Sequence, residues 1–228
     1  MLALDHRLAD LAGGSWLLAL LVALLLGLRH ATDPDHLTAV SMLVAGDEPD
    51  GSRRARRLGF AWGLGHATTL FAFGLPVVLF GAYLPDAVQR AAELAVGLVI
   101  IGVAVRLVVR WRLHDSPRYE HGHDALGRTP RAAFGIGLVH GAGGSAGVSL
   151  LIVGSVAGDP AMAAVCLSIL AAGATLSMAL LSSAFGHALA RGSLLRDVSG
   201  AMPALGVGGV LFGAWYALGA LQAVHYPF

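Results

Sequence analysis

Hydrophobic positions along this chain gather in long blocks separated by short polar or turn-forming segments. Each block is long enough for a helix that crosses a hydrocarbon layer about 30 Å thick. Six blocks emerge. The first runs from about Trp16, through a polar interruption at His30 to His36, to about Ala45. Gly46 to Arg57 reads as a polar loop holding Asp47, Glu48, Asp50 and four arginines. The second block spans about Leu58 to Leu84 and the third about Ala87 to Val109, followed by a long polar loop from about Arg110 to Arg131. The remaining blocks lie at about Ala132 to Ala157, Ala161 to Leu189 and Met202 to Val224. The pattern predicts an all-α polytopic membrane protein with six transmembrane helices in a single transmembrane domain over residues 1–228. The first block follows Arg7 and is leucine-rich, as a signal peptide is. No small residue stands three before a plausible cut, so it reads as an uncleaved span.

The polar interruption in the first block is the most informative stretch: Arg29-His30-Ala31-Thr32-Asp33-Pro34-Asp35-His36. Charged groups are costly inside a membrane and call for a partner or a function. In a straight α-helix His30 and Asp33 share a face, while His36 points about 120° and Asp35 about 140° away from His30. A straight helix therefore cannot aim all four at one point. Proline in a helix interior lacks an N–H and clashes with the carbonyl four residues back, here that of His30. A kink or break at Pro34 is expected to turn these side chains inward and free that carbonyl oxygen. The competing reading is an Asp-Pro turn that ends one helix and caps the next, which accounts for one aspartate and neither histidine.

Two more histidines fall inside blocks. His66 lies in Trp62-Gly63-Leu64-Gly65-His66-Ala67-Thr68-Thr69, and His140 precedes Gly141-Ala142-Gly143-Gly144-Ser145-Ala146-Gly147. Three spans thus carry an imidazole at similar depth, and convergence on one site is expected. The glycine run serves close helix packing, an unwound segment lining a cavity, or both. Imidazole and carboxylate without nearby sulfur suit a borderline divalent ion such as Ni²⁺, Co²⁺ or Zn²⁺, and ligand type does not separate these. Such ligands bind metal only when deprotonated, so affinity is expected to fall with pH. His114, His121 and His123 belong to the long polar loop, which reads as solvated or as a place that samples metal.

Charge adds an orientation. Every one of the fifteen basic residues is arginine. With the N-terminus outside, twelve of them fall on the cytoplasmic side and Arg7 and Arg90 on the other, so the positive-inside rule places both termini outside. Composition agrees with a membrane protein, at 56% hydrophobic and 13% charged, and a net charge of +1 gives no footprint for nucleic acid. Cys166, the one cysteine, has no disulfide or redox partner. Neither a nucleotide-binding motif nor H-E-x-x-H is present, so no enzymatic activity and no permanent cofactor are expected.

A weak internal repeat is visible. Gly27-Leu28-Arg29-His30-Ala31 parallels Gly137-Leu138-Val139-His140-Gly141, and Gly65-His66-Ala67-Thr68 parallels Ala172-Gly173-Ala174-Thr175. With three spans per unit the copies, about 11–113 and 132–225 around a cytoplasmic loop at about 110–131, run in opposite directions, a recurring plan of secondary transporters.

The string Arg29-His30-Ala31-Thr32-Asp33-Pro34-Asp35-His36-Leu37 resembles the H-x4-D-H signature of the nickel/cobalt transporter family. Leu64-Gly65-His66-Ala67-Thr68 is similar to that family's second signature, Leu-Gly-His-Ser/Ala-Thr. The first signature usually continues into an Asp-Asn pair, where this chain reads Ala39-Val40-Ser41-Met42. The family's Gly-Phe-Asp-Thr-Ala-Thr-Glu string has no counterpart. His140-Gly141-Ala142-Gly143-Gly144-Ser145 instead resembles the His-Gly-x-x-Gly-Ser string of the family's smaller, six-helix, urease-accessory-type membrane relatives. The resemblance implies a secondary transporter in a prokaryotic plasma membrane with Ni²⁺ or Co²⁺ as substrate. It implies His30, Asp35, His36 and His66 as ligands, with Asp33 and His140 as further ligands or proton acceptors. A membrane-embedded metalloenzyme and a metal-binding sensor or assembly factor are the alternatives.

Overall fold

The computed structural model describes residues 16–44, 51–80, 85–113, 129–143, 159–190 and 198–224. Among these it is all-helical: α1 (Trp16–His30), α2 (Pro34–Val44), α3 (Gly51–Phe80), α4 (Asp86–Leu113), α5 (Pro130–His140), α6 (Pro160–Ala190) and α7 (Val198–Ala220). Helices α3, α4, α6 and α7 are long and apolar enough to cross a membrane. The pair α1 and α2, bent by 48° at a short break, makes a fifth span when the two are taken as one. Helix α5 has eleven residues, and the rest of the fourth predicted block, from residue 144 onward, lies outside the described residues, as does most of the 110–131 loop with its three histidines.

Most of the predicted ends fall within a few residues of the observed ones. The exception is α3, which begins at Gly51 and takes in Arg53 to Arg57, expected as loop. Arginine is a good helix former, and Ala55 and Leu58, three residues apart, are both buried against the core. That packing extends the helix through the arginines.

The break between α1 and α2 has a different cause from the one expected. Pro34 is the first residue of α2, where a missing N–H costs nothing. The chain turns tightly instead: the Thr32 N–H donates to the Arg29 carbonyl (2.8 Å) and the Asp33 N–H to the His30 carbonyl (3.3 Å). The His30 oxygen is therefore not left free. The Asp33 carbonyl then accepts from the Leu37 N–H (2.9 Å) and starts α2.

The interior mixes many alanines and polar residues with large apolar ones such as Leu58, Trp62, Leu70 and Ile100, while many other large apolar side chains, including Leu17, Leu21, Leu98, Leu176 and Leu211, face outward. That distribution suits a lipid surround, where close packing of small residues holds helices together. Contacts fix the directions of the helices. Trp62 meets Gly137 and His66 meets Gly141, so α3 and α5 run parallel. Gly173 lies against Leu24, and the Ser177 hydroxyl donates to the Gly27 carbonyl (3.1 Å), so α1 and α6 also run parallel. Gly59 meets Ser182 and Gly63 meets Thr175, which makes α3 and α6 antiparallel. Helices α4 and α7 form a second antiparallel pair through Gly97, Gly206 and Gly213.

Two glycines decide how close α5 comes. A Cβ on Gly65 would strike the Phe134 carbonyl oxygen, and one on Gly137 would strike that of Trp62. Backbone meets backbone here, and the Thr69 hydroxyl donates across the seam to the Leu138 carbonyl (2.8 Å).

Candidate metal centre

Helix α1 delivers His30 at its last residue, α2 delivers Asp35 and His36 in its first turn, α3 supplies His66 at mid-length, and α5 ends on His140. All five side chains, and Asp33 from the break, are buried. His30, His36 and His66 come together, each offering a ring nitrogen, with those nitrogens all within 4.8 Å of one another. The ring centroids are 4.6 Å apart for His30 and His36, 4.7 Å for His30 and His66, and 5.2 Å for His36 and His66. The break achieves what a straight helix could not, because residues 31–33 reverse the divergence of His30 and His36.

The aspartates stand behind the rings. Asp35 Oδ1 is 3.1 Å from His36 Nδ1, and Asp33 Oδ2 is 3.4 Å from His30 Nδ1. A carboxylate facing Nδ1 favours the tautomer with its proton there, which leaves the Nε2 lone pair pointing the other way. His36 Nε2 is buried with no hydrogen-bond partner, and His30 Nε2 faces His66 Nε2 at 2.8 Å. The His30 and His66 nitrogens share one hydrogen bond, while His36 Nε2 is left without one, which is costly in an apolar interior. A cation taken up by the three rings would replace that bond and satisfy His36 as well. The donor set is three imidazoles without sulfur, which fits a borderline divalent ion.

This geometry separates the six expected ligands into groups. His30, His36 and His66 present nitrogens to a common point. Asp33 and Asp35 hold rings instead of pointing at that centre, and Arg29 Nη2 lies 3.4 Å from Asp33 Oδ1. His140 lies outside the trio, its ring 5.5 Å from that of His36, with both nitrogens buried and without hydrogen-bond partners. The glycine run after it is described as far as Gly143, and there Gly141 serves close packing, because a Cβ on it would press on His66. His187 is exposed at the far end of α6.

Trp62 was not anticipated as part of the site. Its fully buried ring packs 5.4 Å from His36 and 5.6 Å from His140, an apolar surface against which both imidazoles rest. Its spacing gives it away in retrospect, since Trp62 and His66 are four residues apart and share a helix face. Beside it a small apolar void lined by Ala39, Leu43, Trp62 and His140 adjoins α4.

The chain is similar to a urease accessory protein. That protein is the "Urease accessory protein UreH" of Bacillus sp. (strain TB-90), 28% identical over 149 residues, which make up 60% of this chain and 63% of the relative. The chain thus spans less than two thirds of that relative's length. No family model and no solved structure matches it. The described helices and the histidine cluster agree with a multi-pass, metal-binding membrane protein.

Proposed function

We propose that this protein is a secondary transporter that moves Ni²⁺ or Co²⁺ across a prokaryotic plasma membrane through the His30, His36 and His66 centre. The carrying observation is that three imidazole nitrogens converge within 4.8 Å in the buried centre of an apolar helical bundle. Ions held this way leave when their ligands take up protons, so a proton gradient can drive release on one side. His140 is the next imidazole along the interior and serves as a second station for the ion or for a proton. The likeness to the nickel/cobalt transporter signatures supports the choice of metals.

Six spans in two inverted three-helix units complete the reading, with both termini outside. Support comes from helix directions. Helix α1 packs parallel to α6, and α5 parallel to α3, while α3 and α6 are antiparallel, so α1 and α5 run in opposite senses. The matched glycines Gly27 and Gly137 each press against a backbone of the other unit, that of Leu170 and that of Trp62. Rocking of one unit against the other around the centre would give alternating access.

A second reading is favoured by the relative's description as a urease accessory protein: an accessory factor that holds metal for assembly without moving it across the membrane. Proteoliposomes separate the two. Transport predicts saturable Ni²⁺ or Co²⁺ flux that responds to a proton gradient and is lost in His36→Ala. Tight binding without flux in either direction supports the accessory role and rejects transport.

A further inference from the structure

Away from the metal centre, a groove of about 690 Å³ opens where α3, α5 and α6 meet on the outer face of the bundle. That volume falls within the roughly 300–1,000 Å³ typical of ligand sites. Its floor and walls are apolar, formed chiefly by Phe60, Leu64, Phe134, Leu176 and Leu180. One end is different. Arg56 and Arg57 from the first turns of α3 and Arg131 from the first turn of α5 line it, all three exposed. No acidic residue lines the groove, and among the described residues none of the three arginines has an ion-pair partner.

The helix directions explain why these charges gather. Because α3 and α5 run parallel, their N-terminal ends lie on the same side, and neither has an acidic residue in its first turn. The partial positive charge of each helix start adds to that of the arginines. Sequence assigns this side to the cytoplasm, through the arginine asymmetry. From Arg57 to Leu64 the helix rises about 10 Å, so the groove leads from a cationic rim into the hydrocarbon layer.

We propose that this groove binds an anionic phospholipid of the inner leaflet, with its phosphate on Arg56, Arg57 and Arg131 and an acyl chain along Phe60, Leu64, Leu176 and Leu180. Cationic pockets between membrane helices on the cytoplasmic side suit such headgroups. Bidentate hydrogen bonding to phosphate suits arginine in particular. The lipid braces the seam between α3 and α5, the helices that carry His66 and His140. This site stands whether or not the metal centre transports.

The test is native mass spectrometry of the full chain in mild detergent, titrated with phosphatidylglycerol or phosphatidylcholine. The expected result is one retained phosphatidylglycerol per protein, with a preference over phosphatidylcholine of roughly tenfold or more. The triple variant R56Q/R57Q/R131Q should bind the two lipids equally, while Arg90→Gln, a substitution outside the groove, should keep the preference. Leu180→Trp fills the apolar part and leaves the charges, and it should also lose the bound lipid. Equal retention of both lipids by the unmodified protein, or an undiminished preference in the triple variant, overturns the proposal. So does a lipid-free dimer that Leu180→Trp dissociates, which would make a second copy the occupant.

Discussion

Asp35→Asn tests the arrangement of the centre most sharply, because it distinguishes a carboxylate that holds a ring from one that binds the ion. Asp35 Oδ1 lies 3.1 Å from His36 Nδ1, with both residues buried. Asparagine has nearly the same shape, and its amide oxygen still accepts from Nδ1–H, so His36 keeps its tautomer and orientation. Only the charge is lost. Hydrogen bonds to charged groups contribute about 1.5–3 kcal/mol and neutral ones about 0.5–1.5. The difference of about 1–1.5 kcal/mol corresponds to a loss of affinity of roughly tenfold. That value meets the lower end of the roughly 10–100-fold effect seen when carboxylates behind metal-binding histidines are changed. The measurement is isothermal titration of the detergent-purified protein with Ni²⁺ and Co²⁺ at pH 7.5, comparing the unmodified protein, Asp35→Asn and His36→Ala. Asp35→Asn should bind about tenfold more weakly, and His36→Ala should show no binding. A loss in Asp35→Asn as complete as that in His36→Ala would make Asp35 a direct ligand. An affinity unchanged within error would refute the coupling of carboxylate to ring.

Other outcomes follow from the same geometry. His30→Ala and His66→Ala should each abolish metal binding in the same titration, whereas His140→Ala should retain it and slow flux, since His140 lies outside the trio. Lowering the pH from 7.5 to 6 should weaken Ni²⁺ affinity, because the ligands bind only without their protons; the protons released on binding are read from the dependence of the titration heat on buffer ionisation. Gly65→Val places branched carbon against the Phe134 carbonyl and should lower the thermal unfolding temperature in detergent, as pressing a side chain into a closed seam costs about 1–3 kcal/mol. An unchanged unfolding temperature would mean that α5 is not held against α3 as described. Pro34→Ala restores an N–H at the first position of α2, where none is needed, so metal affinity should change little, because the turn at residues 31–33 carries the break. A loss as large as that in His36→Ala would return the break to the proline.

Sequence by itself determined the class of molecule and the residues of interest. Blocks of apolar residues of membrane-crossing length require helices, because every backbone group in hydrocarbon must be satisfied within its own segment. Histidines and aspartates inside such blocks are expensive enough to mark a site without any knowledge of the fold. The break in the first span was legible for the same reason, since helix periodicity showed that His30 and His36 diverge in a straight helix.

What only the tertiary structure decided is the division of labour among those residues. Pro34 opens α2 instead of kinking a helix from within, and the tight turn at residues 31–33 carries the change of direction. Asp33 and Asp35 face Nδ1 atoms, Trp62 packs against both His36 and His140, and arginines from two helices distant in sequence share one rim. None of these can be read from periodicity. The aim of a side chain beyond a break depends on the dihedral angles of the intervening residues. Its neighbours depend on which helices pack together, and here glycines that admit backbone against backbone make that choice.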